Sequence, residues 1–197
     1  EQIVPVEIKQ QRTAVMFNED EHIKQDSSKE ALTNLRAAFK KDGLVTAGNA
    51  SGINDGTASV VLANEKLTQS IKNEPMPQII SYGFGGVSPH IMGMCPVQAS
   101  KMALEKAGLR ISDLDVIESN EAFAAQACAV SKALEFPSDI VNPNGGAIAL
   151  GHPVGATGAI ILTKLVHELI RINGRYGMAT MCIGGGQGIS VIVDALM

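Results

Sequence analysis

The 197-residue sequence predicts an α/β fold in which helices layer a sheet. From about residue 75 onward, short apolar runs alternate with longer segments of helical periodicity, the pattern of a β-α-β-α-β succession. Hydrophobic residues make up 45% of the chain while aromatics are only 4% and Trp is absent. The core is therefore aliphatic and alanine-rich, which suits helices packed closely on a sheet. Glycine-dense turns fall where the apolar runs end, the edge at which such folds collect ligands.

Residues 1–9 alternate, with Ile3, Val4, Val6 and Ile8 apolar, and read as a strand. Residues 12–26 are polar and read as a loop. Ser27-Ser28-Lys29-Glu30 is a capping-box pattern, Ser at the cap and Glu three later. A helix should follow, with Leu32, Leu35 and Phe39 on one face, ending at the basic Lys40-Lys41 and Gly43. TAGNASGINDG (46–56) is a glycine and asparagine loop. Residues 58–63 read as a buried strand and 65–72 as a short helix, and Pro75 and Pro77 mark a boundary.

Beyond it, 79–82 is a strand. Pro96 suits the first turn of a helix running to Gly108, with Val97, Met102, Ala103 and Ala107 inward and Lys101, Glu105 and Lys106 outward. Residues 115–117 form a short strand and 121–134 a helix. Residues 140–141 start a strand that breaks into a glycine-rich stretch, 156–172 is a long helix, and 179–183 and 189–194 close the fold as strands.

A net charge of −4 and a pI near 5.6 argue against nucleic acid as the main partner. Residues 140–163 lack Lys, Arg, Asp and Glu for 24 positions, but their glycines, prolines and asparagines rule out a membrane helix. Cys95, Cys128 and Cys182 are sparse and form no CxxC, which fits a reducing, cytoplasmic setting. The histidines show no metal-ligand spacing, so no metal is expected. No P-loop is present, and GGGQG (184–188) lacks the GxGxxG spacing. The chain opens on a strand pattern without Met and reads as part of a longer one.

Three turns at expected strand ends carry able side chains: Asn120 in SNEAF, His152 in GHP, and Cys182 before GGG. Singly, each has an ordinary reading, as a helix N-cap, a loop histidine and a small apolar residue. Together, an amide, an imidazole and a thiol beside glycine N–H groups suit carbonyl chemistry on an acyl compound.

GNASGINDG (48–56), SNEAFAAQ (119–126), NPNGGAIALGHPVGATGA (142–159) and CIGGGQG (182–188) closely resemble the thiolase family, its acetyl-CoA acetyltransferases above all. The match runs through essentially the whole chain in the family's order. The resemblance implies a layered α-β-α-β-α fold, of which this chain supplies the second half. Residues 1–53 would end the loop domain that covers coenzyme A, 54–74 would return a strand and helix to the first core domain, and 75–197 would form the second core domain.

It also implies a ping-pong condensation of two acetyl-CoA to acetoacetyl-CoA and CoA, reversible as thiolysis. The nucleophilic Cys lies in the family's first half, and no cysteine here matches its motif. His152 matches the histidine that activates the nucleophile and helps bind the thioester oxygen. Cys182 matches the acid/base thiol, Asn120 the holder of an oxyanion-hole water, and Gly184 a donor of a second hole. Ser51, Met92 and Phe123 match residues of the pantetheine channel, with Ala47 at its edge. Cys95 departs from the family, which commonly has glycine there. Large side chains at Gly145, Gly151 or Gly155 should block the turn or the substrate.

The partners implied are acetyl-CoA, acetoacetyl-CoA, CoA, the N-terminal half and further copies in a homodimer or homotetramer, with no nucleic acid, membrane or separate cofactor. Three other readings remain: a degradative 3-ketoacyl-CoA thiolase of longer chain preference, a β-ketoacyl synthase relative, against which Cys182 argues because that branch has histidine there, and an inactive half-molecule that only packs.

Overall fold

The computed structural model describes residues 2–10, 12–68, 71 and 76–195. Two strands, β1 (Val6–Gln10) and β2 (Thr13–Phe17), open it as an antiparallel hairpin pairing Val6 with Phe17. Two short helices follow, α1 (Lys29–Thr33) and α2 (Glu65–Thr68). The remaining elements are β3 (Gln78–Gly86), α3 (Cys95–Ala107), β4 (Val116–Ser119), α4 (Ala124–Leu134), α5 (Ala147–Leu150), α6 (Thr157–Ile172), β5 (Tyr176–Gly184) and β6 (Gln187–Asp194).

The last four strands form one mixed sheet in the order β3-β6-β5-β4. β6 runs antiparallel to both neighbours, and β4 runs parallel to β5. Successive strand residues point to opposite faces, and the core divides accordingly. Ile117, Met178 and Ile192 meet Ala103 and Leu104 of α3 and Val130 and Leu134 of α4. Val116, Ala179 and Val193, each one position away, meet Ile161, Leu165 and Leu169 of α6. The result is helix, sheet and helix in three layers. α3 ends at Gly108, whose φ of 67° lets its N–H turn back onto Leu104 and Glu105.

Several expectations are corrected. The first strand starts at Val6, not at the chain's first residue, and 12–26 is not all loop, because Thr13, Val15 and Phe17 supply β-branched and aromatic positions for β2. Ser28, not Ser27, caps α1, accepting from the Ala31 N–H at 3.1 Å. That helix stops after five residues because Thr33 Oγ1 and Asn34 Nδ2 both compete for the Glu30 carbonyl. The buried strand expected at 58–63 is irregular and exposed, with Val61 at 93% and Leu62 at 75%. No strand pairs with it among the described residues, and an apolar run needs a partner to become a strand.

Met102 is 42% exposed rather than inward, although Val97 and Ala107 do pack on the core. Residues 138–140 form a 3-10 turn, and Val141 makes only an isolated bridge to Ile117. Glu1, Lys72 and Pro75 lie outside the described residues.

Candidate active site

Because β4 and β5 are parallel, their carboxyl ends reach the same edge of the sheet. The Asn120 N–H continues the ladder by donating to the Thr180 carbonyl at 3.0 Å, two residues before Cys182. The next piece is built by a side chain. Asn142, at φ 46°, accepts from the Ser119 N–H through Oδ1 and donates to the Ser119 carbonyl through Nδ2, both at 2.9 Å. Its amide mimics a strand partner and ties the 142–151 loop to the end of β4. Glu121 completes the tie, accepting from Asn142 Nδ2 at 3.0 Å and from the Ile148 N–H at 3.3 Å.

Below the loop lies a charged floor. Lys164 of α6 donates to Glu118 at 2.9 Å and to the Gly145 carbonyl. Both residues are almost fully buried, and burial, opposed by Lys164, holds the Glu118 carboxyl up at about 6. Asn144 Nδ2 donates to Glu168 at 2.8 Å, and Arg171 grips the same carboxylate with two nitrogens, which holds it below its usual range.

The loop delivers His152. Gly151 takes φ 104°, which L side chains rarely adopt, and a Cβ there would strike Asn54. Gly145, at φ 84°, carries the same constraint. At Gly155 a Cβ meets nothing within 4 Å, so the turn itself has room for a side chain there.

The ring is held on both sides. Nδ1 lies 2.7 Å from Thr157 Oγ1, whose single hydrogen is donated to the Pro153 carbonyl at 2.9 Å. Thr157 must therefore accept from Nδ1–H, which leaves Nε2 unprotonated, with a lone pair that can accept. Asn120 Nδ2 faces Nε2 at 3.4 Å. Burial depresses the imidazole's proton affinity below its ordinary value of 6.5, so the ring is neutral at pH 7. A neutral imidazole with an open Nε2, beside an amide N–H, can take a proton and help bind an oxygen.

Cys182 is half-buried at the end of β5. Burial pushes its thiol above the ordinary 9.0, while its own backbone amide and Gln126 of α4 pull the other way. The thiol is thus protonated at pH 7. Gly184, at φ 137°, is the exposed last residue of β5 and keeps its surroundings open: a Cβ there meets nothing within 4 Å.

The other expected residues flank this edge. The Ser51 N–H and hydroxyl both donate to the Ala122 carbonyl, at 3.0 and 3.2 Å, and Ala50 bridges Phe123. Met92 is partly exposed in the 3-10 turn Pro89–Met94, next to Gly93, which abuts Gln126. Ala47 sits in a turn closed by Asn49 Oδ1 on the Thr46 N–H at 2.8 Å, and no contact ties it to Asn120, His152 or Cys182.

Three supporting residues escaped sequence reasoning. Thr157 fixes the imidazole tautomer, Asn54 accepts the His152 N–H at 3.1 Å, and Gln126 faces Cys182. Thr157 alone carried a local signal, a hydroxyl one helical turn after Pro153. Asn54 and Gln126 reach the site from distant sequence. Among the described residues no cluster of His, Cys, Asp and Glu could hold a metal ion, and no helix is long and apolar enough to cross a membrane.

Comparisons with known proteins agree on one family. The model for the thiolase C-terminal domain matches residues 73–195, and that for the thiolase N-terminal domain matches residues 1–66. Beta-ketothiolase BktB of Cupriavidus necator is 54% identical over the whole chain, which covers 50% of that protein. The crystal structure of the Bacillus anthracis acetyl-CoA acetyltransferase superposes with a TM-score of 0.95 at 46% identity, covering 98% of this chain and 49% of that one. Human mitochondrial 3-ketoacyl-CoA thiolase in complex with CoA gives 0.86 at 43% identity, over 97% and 47% of the two chains. The chain spans about half the length of the curated relatives it matches.

Proposed function

The chain belongs to the thiolase family, and from that premise we propose that it is the acid–base half of an acetyl-CoA acetyltransferase. It works with a nucleophile-bearing N-terminal thiolase half to join two acetyl-CoA into acetoacetyl-CoA and CoA. Residues 1–53 would complete the domain over coenzyme A, 54–74 would return to the first core domain, and 75–197 would be the second. The complete enzyme would be a homodimer or homotetramer, in the cytoplasm that three free thiols suit.

The observation that carries this reading is the Asn120–His152–Thr157 arrangement, which leaves Nε2 unprotonated with only the long contact of the Asn120 amide on its lone pair. In the first step Nε2 takes the proton of the nucleophilic thiol as its sulfur attacks the acetyl carbonyl. The Asn120 amide and His152 steady the developing oxyanion, a contribution on the order of 3 kcal/mol per donor in other enzymes. Cys182, protonated at neutral pH, gives its proton to the departing CoA sulfur. The resulting thiolate removes the α-proton of the second acetyl-CoA, and the enolate attacks the acetyl-enzyme while the Gly184 N–H holds the acetyl oxygen; the C–S bond to the enzyme breaks, and the freed nucleophilic thiolate takes its proton back from His152. Ser51, Met92 and Phe123 line the pantetheine path, with Ala47 at its edge.

The test is thiolysis of acetoacetyl-CoA with free CoA by this chain combined with a thiolase N-terminal half. His152→Ala should slow acylation by roughly two to four orders of magnitude, and a near-unchanged acylation rate sinks the role. Cys182→Ser should stop α-proton exchange in acetyl-CoA more severely than acylation. Close likeness to a 3-ketoacyl-CoA thiolase structure favours a second reading, a degradative enzyme of longer chain preference. Rates across acyl lengths separate the two.

A further inference from the structure

Cys95 opens α3 and is fully buried beneath the turn that carries Cys182. Its thiol donates to the Gln187 carbonyl at 2.8 Å. The Ile183 backbone N–H lies near enough to this sulfur to oppose the rise that burial imposes on the thiol. These two groups share a peculiarity. Cys182 pairs with Gly188 and Gly184 with Gln187, so Ile183 is an extra residue that the β5–β6 ladder skips. It forms a bulge, and a bulge leaves one residue unpaired and re-aims its neighbours. Here the carbonyl opening β6 closes on the Cys95 sulfur, with the unpaired amide beside it.

The sheet geometry agrees. Met178 faces the core shared with α3 and α4, and Thr180 meets Ser100 of α3 at 3.1 Å, so Cys182, two further on, faces the same layer. A Cβ on Gly188, opposite Cys182, would lie 2.7 Å from the Cys95 carbonyl carbon. The first turn of α3 therefore presses directly on the bulge. Cys182 is close enough that its charge adds to burial in raising the Cys95 thiol.

We propose that Cys95 is a positioning residue for Cys182: by holding the Gln187 carbonyl beneath the Ile183 bulge, its thiol pins the bulge that aims the Cys182 sulfur and the Gly184 N–H into the site. The proposal rests on Cys182 being the acid–base group. Cys95 itself touches no substrate.

The experiment uses the complete enzyme, this chain with its N-terminal half, carrying Cys95→Ala, Cys95→Ser, Cys95→Gly or Cys182→Ser. Cys95→Ala should slow α-proton exchange of acetyl-CoA about ten- to a hundredfold, the scale of a small misplacement, while acylation stays within about twofold. Cys95→Ser keeps a donor and acceptor and should recover most of the exchange; Cys95→Gly should behave as Cys95→Ala. A second readout needs no catalysis. The pH midpoint for alkylation of Cys182 by iodoacetamide, followed on its peptide by mass, should rise in Cys95→Ala, because a loosened bulge no longer holds the Cys182 backbone N–H and Gln126 against the Cys182 sulfur.

An unchanged exchange rate and an unchanged midpoint overturn the proposal. So does a parallel fall of exchange, acylation and Tm that serine does not rescue, which is the signature of packing alone. If Cys182→Ser keeps full exchange, the acid–base assignment fails by itself, and the alkylation midpoint still decides whether Cys95 positions the sulfur.

Discussion

Residues 2–68 and 76–195 behave as two different kinds of chain. In the first stretch no described residue is buried, and apolar side chains such as Phe39, Ile53 and Val61 stand 77–94% exposed. In the second, three layers close over two aliphatic clusters in which Leu165, Leu169, Met178 and Ile192 are fully covered. The first stretch carries more charge and fewer apolar residues, yet it still holds apolar runs such as 60–63. What differs is whether an apolar run finds a partner. In the second stretch each strand finds a neighbour, and α3, α4 and α6 find a sheet face. In the first, β1 and β2 have only each other.

The largest effect belongs to the layered stretch. Lys164→Met leaves the Glu118 carboxylate buried without its cation and frees the Gly145 carbonyl, so it should cost about 3–5 kcal/mol in urea unfolding. A loss under about 1 kcal/mol, the range of an exposed pair, would show that the floor beneath the glycine loop is not a working part of the core.

The next effect tests whether the exposed stretch grips the site at all. Asn54→Ala removes the acceptor of the His152 N–H and should cost about 1 kcal/mol, read as a several-fold slower acylation. Full activity would leave the first stretch with no hold on the histidine. Both this variant and its parent should share one pH profile, since the ring contacts are untouched. His152 must be neutral to act, and its proton affinity is lowered, so the acid limb falls below pH 6.5. Cys182 must be protonated, and its value is raised, so the alkaline limb lies above pH 9.0. A limb inside that window contradicts the assignment.

The smallest effect sharpens the comparison most. Val61→Ser should change the stability of this chain alone by no more than about 0.5 kcal/mol, as exposed substitutions do. With an N-terminal thiolase half bound, the same change should cost about 1–3 kcal/mol if that half covers the run. Equal values in both settings would leave 58–63 a surface segment in every state.

The same division governs what could be read beforehand. α3 was legible from Pro96 and Gly108, and α6 from its long apolar stripe, because caps and periodicity are local. Asn120, His152 and Cys182 were legible as candidates because each sits beside small residues where a strand ends. The strand at 58–63 was misread because period alone does not say what lies alongside. Thr157, Asn54 and Gln126 were missed because each acts through an orientation, a tautomer or a backbone amide, that only the folded chain defines. The bulge at Ile183 was equally hidden, since nothing in CIGGGQG says which residue the ladder will skip.

Asn144 is followed directly by Gly145, the neighbour that least hinders an asparagine from closing on the next backbone nitrogen and losing ammonia. While the loop is folded that nitrogen is occupied, its hydrogen given to the Asn142 carbonyl at 2.9 Å, and the Asn144 amide is anchored on Glu168. The loop's order is thus also its protection against ageing. Each time it frays, the ring closure becomes possible, and its hydrolysis sets a carboxylate where the amide was, facing Glu168. Two like charges then oppose the contact that the amide had made, and the damaged loop cannot settle back. Inactivation by storage or heat would therefore run in one direction, with the clock in this dipeptide and its rate set by how often the loop opens.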